Sequence, residues 1–419
     1  MVLEKGKVLP KDDWHRKYYW DLRKNAWNCA RCSVCKWIDS WEVKSARFAK
    51  VCPSSARYLF DAYSCQGRMD IALALIDGGL KYEDSPGLLD VIYRCNTCGG
   101  CDASCKRVQD MEPLRVMLEI RARCVEDGQL LPAHMPVIDG LRKEDNMMMR
   151  PKAERGKWAE GLDVKDLTKE KAEVVYHAGC RLSYDEELWK VARGAITLLK
   201  NLSVDVGIMG REEACCGGRA HDMGYQGELT KYVDHNTEAF ATAGVKTVVT
   251  SCSDCYQAFK LLYAEAGKEL EVLHIVEYID RLIKEGKIKL TKEVPMRVTY
   301  HDPCHLGRRS KPYVPGEPID GIYEPPRDIL KAIPGLELVE MERIKEYAWC
   351  CGAGGGVKEA YPDFALWTGG ERIEEAKATG AEAIVTACPW CERNFIDAIE
   401  NDGGKMKVYD IVELVQQAI

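Results

Sequence analysis

Hydrophobic positions recur every three or four residues through roughly the first third of the chain. The stretches "QGRMDIALALIDGG" and "EPLRVMLEIRARCVEDG" each place apolar side chains on one helical face and end in glycine, which predicts amphipathic helices. Between residues 131 and 172 this periodicity is lost among charged residues, prolines and glycines, as is typical of a linker. We therefore expect a mainly helical domain over residues 1–130 and a linker over residues 131–172.

A second pattern follows residue 172, and it occurs twice. Short β-branched runs alternate with helical spacing: "EVVYHAGC", "LSVDVGIM", "VKTVVTSCSDC" and "LEVLHIVEYIDRLI" in the first copy, and "MRVTYHDPC", "LELVEM", "AEAIVTACPWC" and "MKVYDIVELVQQAI" in the second. Such alternation predicts parallel α/β units. The predicted fold class is α+β and multidomain, with the helical domain followed by two pseudo-symmetric α/β repeats over residues 173–290 and 291–419.

Composition narrows the class of protein. The chain has 419 residues, 46% hydrophobic and 30% charged, with a net charge of −7, which is typical of a folded globular protein. No basic stretch alternates with aromatic residues, so we exclude nucleic acid as a partner. The sequence shows neither a secretory signal nor a long apolar span. We therefore expect a cytoplasmic protein that reaches a membrane only through a partner.

Cysteine is the unusual residue, with twenty in the chain. In a reducing compartment, clustered cysteines indicate metal sites. Most of them fall into short-spaced groups, whereas Cys65 and Cys124 stand outside these groups and are interpreted as small buried apolar side chains.

The first domain contains two cysteine groups with the spacing of cubane [4Fe-4S] sites. "CARCSVC" and "CNTCGGCDASC" each supply three cysteines at intervals of three residues, and in two-cluster ferredoxins the distant fourth cysteine binds the other cluster. The crossed assignment is Cys29, Cys32, Cys35 and Cys105 for one cubane, and Cys52, Cys95, Cys98 and Cys101 for the other. The sixteen residues between Cys35 and Cys52, and the lysine after Cys105, depart from the compact motif. Tetrahedral zinc is the alternative, although a third cysteine in each group suits a cubane better.

Each α/β repeat carries a lone cysteine, then an adjacent Cys-Cys pair followed by glycine, then a C-x-x-C motif. Adjacent cysteines are poorly placed to form a disulfide with each other. The arrangement resembles the CCG domain found in the B and D subunits of heterodisulfide reductase. Because a two-cubane domain precedes it, the whole chain resembles the D-type member of that family, which joins a C-type ferredoxin domain to B-type CCG domains.

The resemblance implies a noncubane [4Fe-4S] cluster with five cysteine ligands in each repeat. The implied ligands are Cys180, Cys215, Cys216, Cys252 and Cys255 in the first repeat, and Cys304, Cys350, Cys351, Cys388 and Cys391 in the second. A purely structural metal protein is disfavoured because structural zinc needs four ligands rather than five. The candidate catalytic residues at these clusters are His177, Arg181, His301 and His305, which flank the lone cysteines and could deliver protons or hold an anionic substrate.

The function that the resemblance implies is that of an iron–sulfur oxidoreductase subunit of a heterodisulfide-reductase-like complex. It would carry electrons between two cubane and two noncubane clusters and could reduce or form a disulfide. In one alternative the chain is the electron-transfer subunit of a class II benzoyl-CoA reductase complex in anaerobic aromatic degradation. The stretches "SARFAKVCPS" and "FDAYSCQGRMDIA" resemble those of the family members that accompany such reductases. In another it is the iron–sulfur subunit of a glycolate, lactate or glycerol-3-phosphate dehydrogenase.

The expected partners are a flavin-bearing A-type subunit or other redox subunits of a larger complex, with a ferredoxin as a further candidate. We expect no flavin in this chain, because "CGAGGG" belongs to the cluster motif and no glycine-rich dinucleotide fingerprint is present.

Overall fold

The fold was obtained as a computed structural model, which describes residues 21–419. Its first part is helical, as the apolar spacing predicts. The helices of this part are Leu22–Trp27, Pro53–Tyr58, Cys65–Ile76, Leu88–Tyr93, Gly100–Lys106 and Pro113–Glu126. Pro113–Glu126 buries one apolar face, including Val116, Met117 and Ile120, in the core of this helical domain.

Two parallel sheets follow. The first sheet has the order β1-β3-β2-β4-β5, and the second has the order β7-β6-β8-β9. The strands are β1 Lys165–Asp166, β2 Val174–His177, β3 Val206–Ile208, β4 Thr247–Thr250, β5 Glu271–His274, β6 Met296–Tyr300, β7 Leu336–Leu338, β8 Ala383–Thr386 and β9 Lys407–Asp410. Apart from the edge strand β1, the two sheets have the same strand order, so the sequence repeat corresponds to a structural repeat.

Helices connect the strands and cover the sheets, as parallel pairing requires. Those of the first repeat are Gly179–Tyr184, Trp189–Asn201, Gly218–Asp222, Gln226–Thr242, Ser253–Gln257, Tyr263–Glu265 and Ile275–Lys284, with a π-helical segment at Ala258–Leu262. Those of the second are Glu324–Ala332, Val357–Ala360, Pro362–Ala378, Pro389–Asn401 and Ile411–Ala418. The last helix of each repeat begins with a capping box, at His274 and at Asp410.

The segment 131–172 is more ordered than the linker prediction suggests. It contains the helix Met135–Glu144, and β1 adds to the edge of the first sheet beside β3. The charged residues that obscure the pattern lie on the outer side of this helix, whereas Val137, Ile138 and Leu141 are buried in the core of the repeats.

The helical domain packs on the second repeat. Its core includes Val357, Phe364 and Ala365, which belong to the second repeat. The two repeats share one continuous core, in which helix Trp189–Asn201 packs against helix Ile411–Ala418. Among the residues that the structure describes, no helix is long and apolar enough to cross a bilayer.

Candidate functional site

The cysteines of both repeats converge at one edge of the sheets. Cys180 and Cys252 follow β2 and β4, and Cys304 and Cys388 follow the equivalent strands β6 and β8. The carboxyl ends of parallel strands are where open α/β sheets build their sites. All twenty cysteines of the chain are free thiols, so no disulfide competes with metal binding.

The five thiols of the first repeat form one connected group. The thiol of Cys215 lies beside those of Cys180 and Cys216, that of Cys216 beside Cys255, and that of Cys255 beside Cys252. All five residues are buried. Five clustered thiols form a soft donor set that suits iron–sulfur chemistry better than it suits a hard cation.

The second repeat reproduces this order. The thiol of Cys350 lies beside those of Cys304 and Cys351, that of Cys351 beside Cys391, and that of Cys391 beside Cys388. In each repeat an asparagine side-chain amide donates a hydrogen bond to a backbone carbonyl of the Cys-Cys pair. Asn236 donates to the carbonyl of Cys215 over 2.9 Å, and Asn394 donates to that of Cys351 over 2.6 Å.

The glycines of the Cys-Cys-Gly turns bring backbone N–H groups to the sulfurs. Gly217 N–H lies 3.4 Å from Cys215 Sγ, and Gly352 N–H lies 3.3 Å from Cys350 Sγ. Gly352 has a φ of 101°, and a Cβ there would lie 2.3 Å from the carbonyl oxygen of Ala365, so no larger residue fits. Hydrogen bonds to sulfur tune the redox potential of a thiolate-bound cluster.

The thiol groups of the two repeats touch each other. The thiol of Cys252 lies beside that of Cys388, and the next residue, Ser253, donates its hydroxyl to the carbonyl of Ala387 over 2.8 Å. The ten thiols therefore lie in adjacent groups on either side of the boundary between the repeats.

The eight cysteines assigned to cubanes line two cavities in the first domain. One cavity is lined by Cys29, Cys32, Cys35 and Cys105, and the other by Cys52, Cys95, Cys98 and Cys101. The structure therefore brings together the same two sets of four that the crossed assignment predicts.

Cys65 occupies a place that the sequence interpretation missed. It is buried, as expected, but it lines both cavities, and its thiol lies beside those of Cys35 and Cys101. A lone cysteine carries no spacing signal, so only the fold brings it between the two groups. Cys124 is buried beside the hydroxyl of Tyr82 and lines neither cavity.

The first domain contacts the second repeat through its thiols. The thiol of Cys98 lies beside that of Cys350. The second repeat in turn meets the thiols of the first repeat where Cys388 lies beside Cys252.

His177 and His301 lie in equivalent positions at the ends of β2 and β6. Each is fully buried and packs edge-on against a phenylalanine, Phe259 or Phe395. Burial lowers the pKa of His177 to about 4 and also lowers that of His301, so both rings are neutral. The Nδ1 atom of His301 accepts a hydrogen bond from Arg372 over 3.2 Å.

His305 and Arg181 occupy equivalent positions after the two lone cysteines, and each contacts the other repeat. His305 Nδ1 lies 3.4 Å from Cys304 Sγ and 3.1 Å from Asp254 of the first repeat. Burial lowers the pKa of His305, but Asp254 and the other neighbouring anions raise it to about 10. The Arg181 guanidinium lies 4.1 Å from the ring centroid of Trp390 in the second repeat.

Several other residues lie at the site but could not be predicted as site residues from the sequence. Arg219 lies 3.6 Å from the Trp390 ring centroid, on which Arg181 also packs. Arg155, from the segment predicted to be a linker, approaches Cys180 Sγ to 3.6 Å and pairs with Glu213 over 2.9 Å. Glu213 could have been suspected because it stands directly before "ACC", whereas Arg155 lies in a stretch without any motif.

The fold and the thiol groups define a class of protein, the cysteine-rich iron–sulfur oxidoreductases. A family model described as the cysteine-rich domain, CCG, matches residues 174–260 and 298–396. The two matches fall on the two α/β repeats.

The chain belongs to the family of the heterodisulfide reductase D subunits. It is 35% identical over 414 residues to the D subunit of the dihydromethanophenazine:CoB–CoM heterodisulfide reductase of Methanosarcina barkeri, covering 93% of both chains. It is 31% identical to the B subunit of the fumarate reductase (CoM/CoB) of Methanothermobacter marburgensis, over 79% of this chain and 62% of that one. It is 29% identical to the EtfAB:quinone oxidoreductase of Syntrophomonas wolfei, over 79% of this chain and 47% of that one.

These relatives confirm the resemblance seen in the sequence. The protein is an iron–sulfur oxidoreductase subunit with an electron-transfer role. The association with a benzoyl-CoA reductase stays a prediction.

Proposed function

We propose that the chain holds two cubane and two noncubane [4Fe-4S] clusters, on the ligand sets predicted from the sequence. Four groups of thiols support this, with four cysteines of each predicted set and the shared Cys65 around each cavity of the first domain, and five cysteines in each repeat. Backbone N–H groups at Gly217 and Gly352 donate toward sulfur in the two repeats, as thiolate ligands require.

The observation that carries the proposal is the order in which these groups meet. Cys65 lies between the cavity of Cys29 and that of Cys101. The second cavity meets the second repeat where Cys98 lies beside Cys350. The second repeat meets the first where Cys388 lies beside Cys252. The four groups thus adjoin one another in series, an arrangement suited to single-electron transfer. The two CCG groups lie together at its far end, away from Cys29.

The near end of this series reaches the surface. Cys32 is exposed, and Trp27 and Trp41 close to it in sequence are 66% and 86% exposed. Exposed aromatic side chains are typical of protein contact sites. A redox partner, such as a flavin-bearing subunit or a ferredoxin, would exchange electrons with the chain here.

The far end suits disulfide chemistry. Cleavage of R–S–S–R′ takes up two electrons and two protons and gives RSH and R′SH. When bound, the paired clusters would supply the two electrons. Around them the chain contributes His305, a cationic hydrogen-bond donor beside Cys304, and Arg181, which lies beside Trp390 at the boundary between the repeats.

Disulfide cleavage can be tested with the CoB–CoM heterodisulfide named for the Methanosarcina relatives. We expect the reduced protein to release two thiols for every two electrons lost, measured by thiol titration under anaerobic conditions. The oxidised protein and the Cys350→Ser/Cys351→Ser variant are the controls and should release none. Fully loaded, reduced protein that releases no thiol would limit the function to electron transfer.

The crossed assignment makes its own prediction. Cys105→Ala removes the fourth thiol from the cavity of Cys29, so we expect loss of that cubane's EPR signal with the second cubane intact. Cys65 lines the same cavity, so Cys105→Ala/Cys65→Ala excludes a substitute ligand, and Cys65→Ala alone is the matched control. Loss of the other cubane's signal instead would overturn the crossed assignment.

A further inference from the structure

Arg308 is a buried arginine at the junction of the first domain and the second repeat. Its Nε donates to the carbonyl of Cys98 over 2.6 Å, and its Nη1 donates to the carbonyls of Glu346 and Ala348 over 2.8 and 2.7 Å. The residue is 8% exposed. One side chain thus spans the contact at which the Cys98 and Cys350 thiols meet.

The charge of Arg308 is not neutralised by a neighbouring acid. Throughout residues 21–419, its hydrogen bonds go to backbone carbonyls, and no carboxylate forms an ion pair with it. The other groups that interact with its charge are the thiols of Cys98, Cys304 and Cys350 and the phenol of Tyr323. The other cations beside Cys304 do face carboxylates: His305 faces Asp254, and Arg309 pairs with Asp222.

The first repeat has a guanidinium in a comparable place, but a carboxylate neutralises it. Arg155 lies beside Cys180, the lone cysteine of the first repeat, and interacts electrostatically with Cys215 as well. Arg308 interacts in the same way with the equivalent cysteines of the second repeat, Cys304 and Cys350. Glu213 forms a buried ion pair with Arg155 at 2.9 Å. At this pair of positions, the guanidinium of the second repeat therefore has no carboxylate partner among residues 21–419, whereas that of the first repeat has one.

We propose that Arg308 raises the reduction potentials of the cubane held by Cys98 and of the cluster held by Cys304 and Cys350, so that the second repeat accepts an electron before the first. This inference rests on the proposed function. Reduction adds negative charge to a cluster, and a cation in a buried, weakly screened site stabilises the added charge. Arg155 has little such effect because Glu213 cancels its charge.

The test is an EPR-monitored redox titration of Arg308→Met beside the wild-type protein. For the two clusters next to Arg308, we expect the equilibrium constant of one-electron reduction to fall about tenfold, which corresponds to about 59 mV. The potential of the cubane on Cys29 should move much less, since Arg308 contacts the Cys98 end of the domain. Arg308→Lys keeps the charge and should stay near the wild-type potentials.

The Lys variant separates charge from hydrogen bonding. A lysine cannot reproduce all three carbonyl bonds in their fixed geometry, so a purely structural role would make Arg308→Lys behave like Arg308→Met. That outcome would overturn the proposal, as would unchanged potentials in an Arg308→Met protein with full iron content. The double variant Arg309→Gln/Asp222→Asn removes a neighbouring pair without changing the net charge and should cause only a small shift.

A second variant tests the effect of an unneutralised guanidinium by creating one in the first repeat. It also keeps the proposal testable if Arg308→Met does not fold. Glu213→Gln leaves Arg155 charged and unneutralised beside Cys180, so the first-repeat cluster should become about tenfold easier to reduce. No shift toward higher potential would overturn the proposal. If wild-type protein with full sulfide and iron supplied shows no cluster signals at all, it is the proposed function that fails.

Discussion

Protein purified without oxygen is expected to hold about sixteen irons and a similar amount of acid-labile sulfide per chain. Two cubanes and two noncubane clusters of four irons each give that total. Both repeats keep five neighbouring thiols, all buried except the partly exposed Cys304, so neither site has the incomplete ligand set of a decayed copy. Iron and sulfide analysis of anaerobic samples provides the measurement.

The Cys350→Ser/Cys351→Ser variant should lower the iron to about twelve per chain, with the cubane signals retained. The variant for comparison is Ser33→Ala, which changes a residue among the cubane cysteines without removing a thiol. The wild-type protein could instead hold only about eight irons per chain, with the ten CCG thiols reacting freely in the native state. That result would contradict the proposal of two noncubane clusters.

The eight longer strands could be predicted because each is a short run of β-branched or apolar residues followed by helical spacing. The burial of β2, β4 and β8 on both faces is what makes these runs continuous, for example in "VKTVVT". Strand β1 has only two residues, both charged, and no pattern distinguishes it from the surrounding segment. Its place depends on pairing with β3, which is a tertiary effect.

The grouping of thiols follows from local spacing, but the contacts between groups do not. Cys98 meets Cys350, and Cys252 meets Cys388, only because separate parts of the chain pack together. The same holds for Arg155, which a weakly patterned segment carries into the first CCG site. The order of the groups, and the different surroundings of Arg308 and Arg155, therefore could not be predicted without the fold.

The largest effect on stability is expected from Glu375→Gln. The Glu375 carboxylate is 1% exposed, and it binds Arg343 through Nε over 3.0 Å and Arg372 through Nη1 over 2.6 Å. Arg343 also donates to the carbonyl of Lys50 in the first domain over 2.7 Å, so the cluster of charges links two parts of the molecule. Breaking a buried ion pair by removing one partner costs about 3–5 kcal/mol, because the remaining charge stays buried.

Glu374→Gln is the matched control, since the neighbouring carboxylate is 53% exposed and pairs with Lys377 on the surface. Removing an exposed pair costs about 0–1 kcal/mol. Thermal unfolding of anaerobic samples with equal iron content compares the two variants at pH 7. Similar melting temperatures for both variants would show that the buried guanidiniums do not depend on Glu375.

The stabilisation that Glu375 provides should also depend on pH. Burial raises the pKa of this carboxyl, but Arg372 and Arg343 more than offset that effect and hold the pKa below its usual range. A carboxyl whose pKa is lower in the folded state contributes its full stabilisation above the pKa of the unfolded chain, about 4.3, and loses it as the pH falls further. The difference in melting temperature between wild type and Glu375→Gln should therefore be constant from pH 8 to about pH 6 and shrink below about pH 4. If the difference in melting temperature instead grows as the pH falls, Glu375 is protonated in the folded protein. Another anion would then balance the charges of Arg343 and Arg372.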